Sequence, residues 1–375
     1  MFTWLNIILA SFIFTYAIYI LWQVVSWSEM PASVCLPAEL NTKVSVIIPC
    51  RNEEKNIGTC LKAILQQDYP TTLLEIIIAD DHSEDSTKQV VENILKNERV
   101  TWKYLAAEKN QFNKKKAISH AVASSSGELM LITDADCVMN TKWVSSIVSL
   151  HTKKKYRMIC GPVAVHGESN FCEKYQSLEV AGLSILSGSG IFSKAPLLCN
   201  GANIAYEKAA FEKVNGFEGN DNIPTGDDTF LLFKIIREYP GGVGYIKNPD
   251  AIVYTEAQPG WRNFLQQRIR WGSKGFRSGS TLNSIISFLV FITNFLLFIS
   301  VLSSLVYFSI NPLLIISLIV KFTVDFLLLN CATTFFSKKR LLRYFWAGEI
   351  VTTVYISWVG LVANFSGYNW KGRDY

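Results

Sequence analysis

Three apolar runs of this sequence end in acidic clusters. VSVII (Val44–Ile48) leads into PCRNEE, EIIIA (Glu75–Ala79) into DDHSEDS, and LMLIT (Leu129–Thr133) into DADC, so at least five carboxylates stand at the ends of apolar segments. Crowded carboxylates repel one another unless a cation or a set of donors compensates them, and a divalent metal is therefore implied. In Asp134-Ala135-Asp136 the i, i+2 spacing of an extended segment would aim both carboxylates the same way. Hard oxygen ligands suit Mg²⁺ or Mn²⁺, with a phosphate completing the shell. Such pairs also serve as turn formers at strand ends, and it is the position after a buried run that favours the metal. A second constellation is QQRIRWGSKG (Gln266–Gly275). On a helix Gln267, Arg270 and Trp271 stand at i, i+3 and i+4, so an amide, a guanidinium and an indole share a face that can meet a charged, ring-bearing substrate. The same residues would also suit a solvated basic helix. His82, His120, His151 and His166 are scattered without ligand spacing.

The elements that must hold these groups alternate in type. Val- and Ile-rich runs are separated by amphipathic stretches near Asn56–Gln67 and Ser86–Lys96, which predicts an α/β fold with a mostly parallel sheet covered on both faces. In such sheets ligands bind beyond the carboxyl ends of the strands, where the acidic clusters lie. At 49% hydrophobic and 18% charged, with a mean hydropathy of +0.20, the 375-residue chain is too apolar for an ordinary soluble enzyme. Residues 2–25 carry no charge and are long enough to span a bilayer. The lack of a basic n-region and of a small-x-small site argues against a cleaved signal peptide. Stretches 283–308, 312–336 and 341–365 are also near span length. Between them, Trp261, Phe264, Leu265, Ile269 and Phe276 form an apolar stripe opposite Arg262, Arg268, Lys274 and Arg277, as suits a helix in a membrane interface. The expected organisation is an anchor (1–26), a linker (27–42), an α/β domain (43–258), an interfacial helix (259–279), a membrane domain of about three segments (280–366) and a basic tail (367–375). Lys321 and Asp325, at i, i+4 in the middle stretch, should pair across one turn. The net charge of +5 is modest and its basic residues gather near predicted membrane edges, so a membrane, not nucleic acid, is the expected partner. The eight cysteines form no CxxC pair and no zinc spacing, which fits a reducing compartment.

VSVIIPCRNEE, IIIADDHSEDS, ITDADC, TGDD and QQRIRW, in that order, resemble the membrane-bound family 2 glycosyltransferases, and CNGANIAYEKAAFEKVNGF (Cys199–Phe217) is similar to that family's acceptor-side segment. The likeness covers roughly residues 43–277. It implies a GT-A fold, inverting transfer from a nucleotide-diphosphate sugar, and Mn²⁺ or Mg²⁺ as cofactor. UDP is inherited from the family and read from no residue. Carried over by position, Pro49, Arg51 and Glu53 fall on the nucleotide-binding turn, and Asp80 and Asp81 on the positions that hold uracil and ribose. Asp81 is preferred for the base, since a carboxylate facing a uracil N–H makes a charge-assisted hydrogen bond, while Asp80 would also suit a helix cap. Of Lys114, Lys115 and Lys116, the last is chosen for the diphosphate. Asp136 takes the metal, with Asp134 supporting it or the ribose. Gln267 and Arg270 are assigned to the donor, Arg270 as a permanently charged fork on its phosphates. Inversion needs one carboxylate to take the acceptor's proton. The resemblance puts this on Asp228, with Asp227 beside it or capping the following helix. TGDD stands where the family commonly has a TED-like motif, as in hyaluronan-synthase-like members. Trp271 and Asn203 are assigned to the acceptor.

A membrane lipid or lipid-linked acceptor is expected, because an interfacial helix flanks the site and so few spans make a private polysaccharide channel hard to build. A processive polysaccharide synthase, with a partner subunit completing the conduit, and an inactive membrane scaffold are the alternatives. A lumenal or periplasmic N-terminus would put the catalytic domain and the basic loop SKKRLLR on the cytoplasmic face, in a bacterial cytoplasmic membrane. The ending NWKGRDY resembles a WxGRxY-like tail of ceramide-glucosyltransferase-like members that belongs on that same face, in conflict with three full C-terminal spans.

Overall fold

The computed structural model describes residues 2–34, 41–107, 114–219, 226–272 and 280–362, with the backbone of 369–370 and 373–374. In chain order the elements are α1 (Phe2–Glu29), β1 (Val44–Cys50), α2 (Ile57–Leu65), β2 (Leu74–Asp80), α3 (Thr87–Leu95), β3 (Thr101–Ala106), α4 (Lys114–Ser124), β4 (Leu129–Ile132) and β5 (Val138–Met139). Next come α5 (Trp143–Lys154), β6 (Met158–Cys160), β7 (Val163–His166), α6 (Phe171–Phe192), β8 (Ile204–Glu207), α7 (Lys208–Lys213), α8 (Asp227–Glu238), β9 (Val243–Tyr245) and β10 (Val253–Glu256). Four longer helices follow: α9 (Gly260–Gly272), α10 (Thr281–Val306), α11 (Pro312–Phe335) and α12 (Phe345–Val362). The chain divides into two compact units.

One unit comprises Met30–His166 and Leu198–Glu256. Its described residues form a seven-stranded sheet in the order β3-β2-β1-β4-β8-β6-β9 and a three-stranded sheet in the order β5-β10-β7. β1 to β4 run parallel to one another, and β8 runs antiparallel to both of its neighbours, β4 and β6. β1 and β2 are buried along their whole length, which is why they read as unbroken apolar runs without alternation. Cys50 pairs with Asp80 and Ile47 with Ile132, so β1, β2 and β4 lie side by side and release their acidic turns at one edge of the sheet. The opposite edge is closed by a polar clasp. Glu75 accepts from the Ser45 hydroxyl (2.6 Å) and the Ser126 N–H (2.8 Å) and pairs with Lys103 (2.7 Å). The Gly127 N–H donates to the Ser45 hydroxyl (3.0 Å), and a Cβ on Gly127 would come within 2.6 Å of the Ser45 backbone nitrogen, so only glycine fits.

The other unit comprises Met1–Glu29, Gly167–Leu197 and Ala257–Tyr375. Four of its helical segments, Trp4–Glu29, Thr281–Val306, Pro312–Phe335 and Lys339–Val362, are long and apolar enough to cross a membrane. They are not joined by apolar packing alone. Lys321 pairs with Asp325 (2.7 Å), as its spacing predicts, but also with Glu349 of α12 (2.5 Å), and Asp325 accepts from the Tyr16 hydroxyl of α1 (2.6 Å). Gln23 of α1 accepts from Ser189 of α6 (2.6 Å). Ions in an apolar bundle are tolerated when each finds partners inside it.

Two boundaries differ from those expected. The α/β domain is not continuous over 43–258, because α6 belongs to the apolar unit. Its second half is rich in small residues (Ala181, Gly182, Ser184, Ser187, Gly188, Ser189, Gly190), which carry a weak helical pattern yet let a neighbour approach: a Cβ on Gly182 would stand 3.2 Å from Leu329 of α11. The segment expected as a free linker begins one turn later and is docked where described, for the Lys247 ammonium donates to the Met30 carbonyl (2.8 Å) and the Ser33 N–H to the Lys247 carbonyl (2.9 Å). Residues 35–40 lie outside the described residues.

Candidate active site

The turns after β1 and β2 are laced together. Asn52 takes a left-handed conformation (φ 53°), which asparagine tolerates better than most residues. Its N–H donates to Ser83 Oγ (2.9 Å) and its side-chain oxygen accepts from the Glu84 N–H (2.9 Å). The Glu53 N–H reaches Thr87 Oγ1 (2.8 Å), the Glu54 N–H reaches Asp85 (3.1 Å), and the Glu54 carboxylate accepts from the Ser86 N–H (3.0 Å). None of Asn52, Ser83, Asp85 and Thr87 was singled out from sequence, because each works through a partner about thirty residues away. Asp80 is spent within this lacing, accepting from the Ser83 N–H (3.1 Å) and hydroxyl (2.5 Å). Its helix-cap alternative is not realised, since Ser86 is the cap residue of α3 and Asp80 serves its own turn. Asp81 is equally buried, and its carboxylate faces His82 Nδ1 at 3.2 Å. Pro49 is buried within β1, Arg51 is half-buried, and Glu53 accepts from Asn56 Nδ2 (3.0 Å).

Asp134-Ala135-Asp136 is not extended. The Cys137 N–H closes a turn onto the Asp134 carbonyl (3.1 Å), so the two carboxylates are brought together by a tight turn and not by strand periodicity. Asp136 accepts from Thr255 Oγ1 of β10 (3.1 Å) and from Cys137 Sγ (3.6 Å). These donors do not offset its setting: burial, then Asp134 and Glu53, push its carboxyl up to about 6. The lysine beside this pair is Lys114, whose ammonium lies 2.6 Å from Asp134 Oδ1. Lys116, the residue chosen from sequence, points to solvent on the other side of α4, and the buried Lys115 stands 3.6 Å from Asp227. Burial opposes the charge on Lys114, but Asp134, followed by Asp227 and Asp228, holds its ammonium above the ordinary value. One lysine thus faces three of the acidic residues.

Asp227 and Asp228 occupy the first turn of α8, where carboxylates meet the positive end of the helix dipole. Gly226 is the cap, in a left-handed conformation (φ 86°) that suits glycine, so Asp227 does not take the capping role considered for it. Asp228 accepts from the Gly201 N–H (2.9 Å) through Oδ2 and from the Thr229 N–H (2.7 Å) through Oδ1. A carboxylate has about four acceptor positions, so each oxygen keeps one for a substrate proton. Thr225 lies outside the described residues. Asn203 does not serve as expected. It is buried, its side-chain oxygen accepts from Trp143 Nε1 (3.0 Å), and its amide donates to the carbonyls of Pro162 (2.8 Å) and Ala251 (2.9 Å). With both amide protons used and its oxygen on Trp143, it braces the segment beside Gly201 and has no donor left for an acceptor molecule.

In the apolar unit, Gln267, Arg270 and Trp271 lie on α9 and are each half-buried, whereas Arg268, grouped from sequence with the basic side, is buried. Lys274, Phe276 and Arg277 lie outside the described residues. Among the described residues no three His, Cys, Asp and Glu side chains group to hold a metal by themselves. Asp134 and Asp136 nevertheless fit a hard divalent cation. They offer oxygen donors only, and the raised Asp136 carboxyl marks negative charge without a full complement of donors, which suits an ion whose shell a diphosphate completes.

Comparison with known proteins addresses the family. The chain is 27% identical over 233 residues to the probable glycosyltransferase YdaM of Bacillus subtilis, which covers 61% of this chain and 54% of that one. It is 24% identical over 240 residues to the poly-β-1,6-N-acetyl-D-glucosamine synthase of Staphylococcus epidermidis, covering 62% and 54%. The match thus spans about half the length of these relatives. Among solved structures, the mannosyltransferase PcManGT from Pyrobaculum calidifontis, in complex with GDP-Man and Mn²⁺, superposes with a TM-score of 0.68 at 20% identity, over 96% of this chain and 99% of that one, so the two share a GT-A-like fold. The glycosyl transferase family 2 model matches residues 45–233, half of the chain and the stretch from β1 through Asp228, and the chain accordingly belongs to glycosyl transferase family 2 and is a glycosyltransferase.

Proposed function

We propose that the protein transfers a sugar, with inversion, from a nucleotide-diphosphate sugar to a membrane lipid or lipid-linked acceptor. The observation that carries this is Asp228: a carboxylate fixed by two backbone N–H groups at a helix N-terminus, a short step from an acidic cluster that wants a cation. Held this way, Asp228 takes the acceptor hydroxyl's proton while the nucleotide departs from the opposite face of the sugar. Asp227 stays paired with Lys115. Asp136 and Asp134 would hold Mn²⁺ or Mg²⁺, which when bound neutralises charge developing on the diphosphate. Lys114 lies where it can exchange Asp134 for a donor phosphate, and the family resemblance assigns the Arg270 guanidinium to the donor. Asp81 is the residue proposed for the base, with Arg51 and Glu53 on the adjoining turn.

The named ligands of PcManGT, GDP-Man and Mn²⁺, support a metal and a nucleotide sugar as the donor class, while UDP rests on the family's habit. The four apolar helices favour a lipid acceptor delivered from the bilayer. The polymer made by the S. epidermidis relative, as its name states, keeps a processive synthase as the second reading. Transfer from radiolabelled UDP-glucose, UDP-N-acetylglucosamine and GDP-mannose by membranes carrying the wild type or Asp228→Asn, with Mn²⁺ or EDTA, separates these. Discrete, metal-dependent label in the organic phase, lost in the variant, is expected. A water-soluble or insoluble ladder would replace the lipid acceptor by a growing polymer, and no metal-dependent transfer from any donor would overturn the proposal.

A further inference from the structure

Arg268 is the residue of α9 whose setting the preceding account does not use. Its side chain is 4% exposed, on a helix where, among the described residues, Phe264 is the only other buried one. The guanidinium lies 4.5 Å from the ring centroid of Phe264 and 4.1 Å from that of Trp271, and so stacks between them. Its Nε donates to both oxygens of Glu179 on α6 (3.0 and 2.9 Å), its NH2 to one of them, and its NH1 to the side-chain oxygen of Gln267. Glu179 also accepts from the Tyr355 hydroxyl of α12. Around this pair Tyr175 packs on Trp261, Phe264 and Tyr355 and shares a hydrogen bond with Thr352 (2.8 Å). Just before α9, Gln258 and Gln176 exchange two hydrogen bonds (2.8 and 3.0 Å).

We propose that Arg268 is a positioning residue that presets the substrate-binding face of α9, orienting the Gln267 amide for the donor and the Trp271 indole beside it while Glu179 holds it in place. The reason lies in the chemistry of an amide. A carboxamide can turn either its acceptor oxygen or its NH₂ donors outward, and the two differ in the sign of charge they attract. Arg268 takes the oxygen, so Gln267 is left to present two N–H groups, the polarity an anionic diphosphate requires. The same guanidinium lies over the Trp271 ring and so restrains the indole next to Arg270. An ion pair is a costly way to join helices that Met or Leu would join as well, and a planar fork satisfying Glu179 and Gln267 at once does what an apolar contact does not.

This inference rests on the assignment of Gln267 and Arg270 to the nucleotide sugar. The test is direct binding of UDP and GDP with Mn²⁺ by the full chain in detergent, for wild type, Gln267→Ala, the apolar pair Arg268→Met with Glu179→Met, and all three substitutions together. Wild-type binding of neither nucleotide would overturn the functional assignment and this inference with it. With binding present, Gln267→Ala should weaken it roughly tenfold, the size of one hydrogen bond to a charged group. The apolar pair should weaken it at least as much with a thermal midpoint near the wild type's, and adding Gln267→Ala to the pair should then cost almost nothing. An equal cost of Gln267→Ala in both backgrounds would show that Arg268 does not act through Gln267 and would overturn the proposal. Should the apolar pair fail to accumulate, Arg268→Lys takes its place. It keeps a charge on Glu179 but has no fork for Gln267, and full affinity in that variant would likewise overturn it.

Discussion

The two edges of the seven-stranded sheet use buried carboxylates in opposite ways. At the amino edge Glu75 is desolvated, yet Lys103, the Ser126 N–H and the Ser45 hydroxyl outweigh this and hold its carboxyl below the ordinary value. At the carboxyl edge, burial with Asp134 and Glu53 lifts Asp136 to about 6 in spite of Thr255 and Cys137. The sheet, the strands and the chemical group are alike, and what differs is whether the protein supplies all the partners. An acid completed from within serves the fold. One left short of donors costs stability, is kept where something else is to complete it, and so marks the site.

The contrast can be broken by substitution at either edge. The largest effect should come from Asp228→Asn, whose one amide oxygen can keep one of the two backbone hydrogen bonds and which cannot accept a proton. Turnover is expected to fall by about 10²–10⁴, the usual contribution of a positioned base, with the thermal midpoint lowered by no more than the loss of the other hydrogen bond allows. A fall of less than tenfold would move the base elsewhere. Next is the cation. Chelation should abolish transfer by the wild type and added Mn²⁺ restore it. Asp136→Asn should raise the Mn²⁺ needed for half-maximal rate by more than the roughly 10–100-fold that losing a mere supporting residue costs. An unchanged Mn²⁺ requirement would detach Asp136 from the metal.

What could be seen in the sequence follows the range of the interactions involved. β1, β2 and β4 are legible because a strand buried on both faces is apolar at nearly every position, and α2 and α3 because their apolar residues recur at helical spacing. Motif order located the acidic turns and TGDD. The choice of Lys116 over Lys114 failed because three consecutive lysines look alike until the helix phase is known, and that phase is set where α4 meets the sheet. Asn203 looked like a ligand because a buried asparagine and a binding asparagine are the same letter; Trp143, Pro162 and Ala251, which saturate it, are 40 to 60 residues away or nearby only in space. Arg268 was placed among solvated basic residues because its partner Glu179 sits in α6, a helix whose Ser- and Gly-rich end hides its period.

The smallest effects should be those at the amino edge, and they should touch stability alone. Glu75→Gln removes the charge that Lys103 and the Ser126 N–H complete, and is expected to cost about 1–3 kcal/mol, with turnover and donor affinity at wild-type values. Because the folded carboxyl is depressed, its contribution is fully present above the unfolded value of about 4.3 and is lost as pH falls through the lower folded value. Thermal midpoints of wild type and Glu75→Gln should therefore differ at pH 7 and converge in acid. A gap that persisted below that range would mean that Glu75 stabilises by shape and not by charge. Ser45→Ala should do less, about 1 kcal/mol, since Glu75 keeps Lys103 and the Ser126 N–H while the Gly127 N–H loses its acceptor. If Ser45→Ala instead lowered turnover at unchanged stability, the two edges would be coupled through β1, and the division between a closed structural edge and an open functional one would fail at its simplest point.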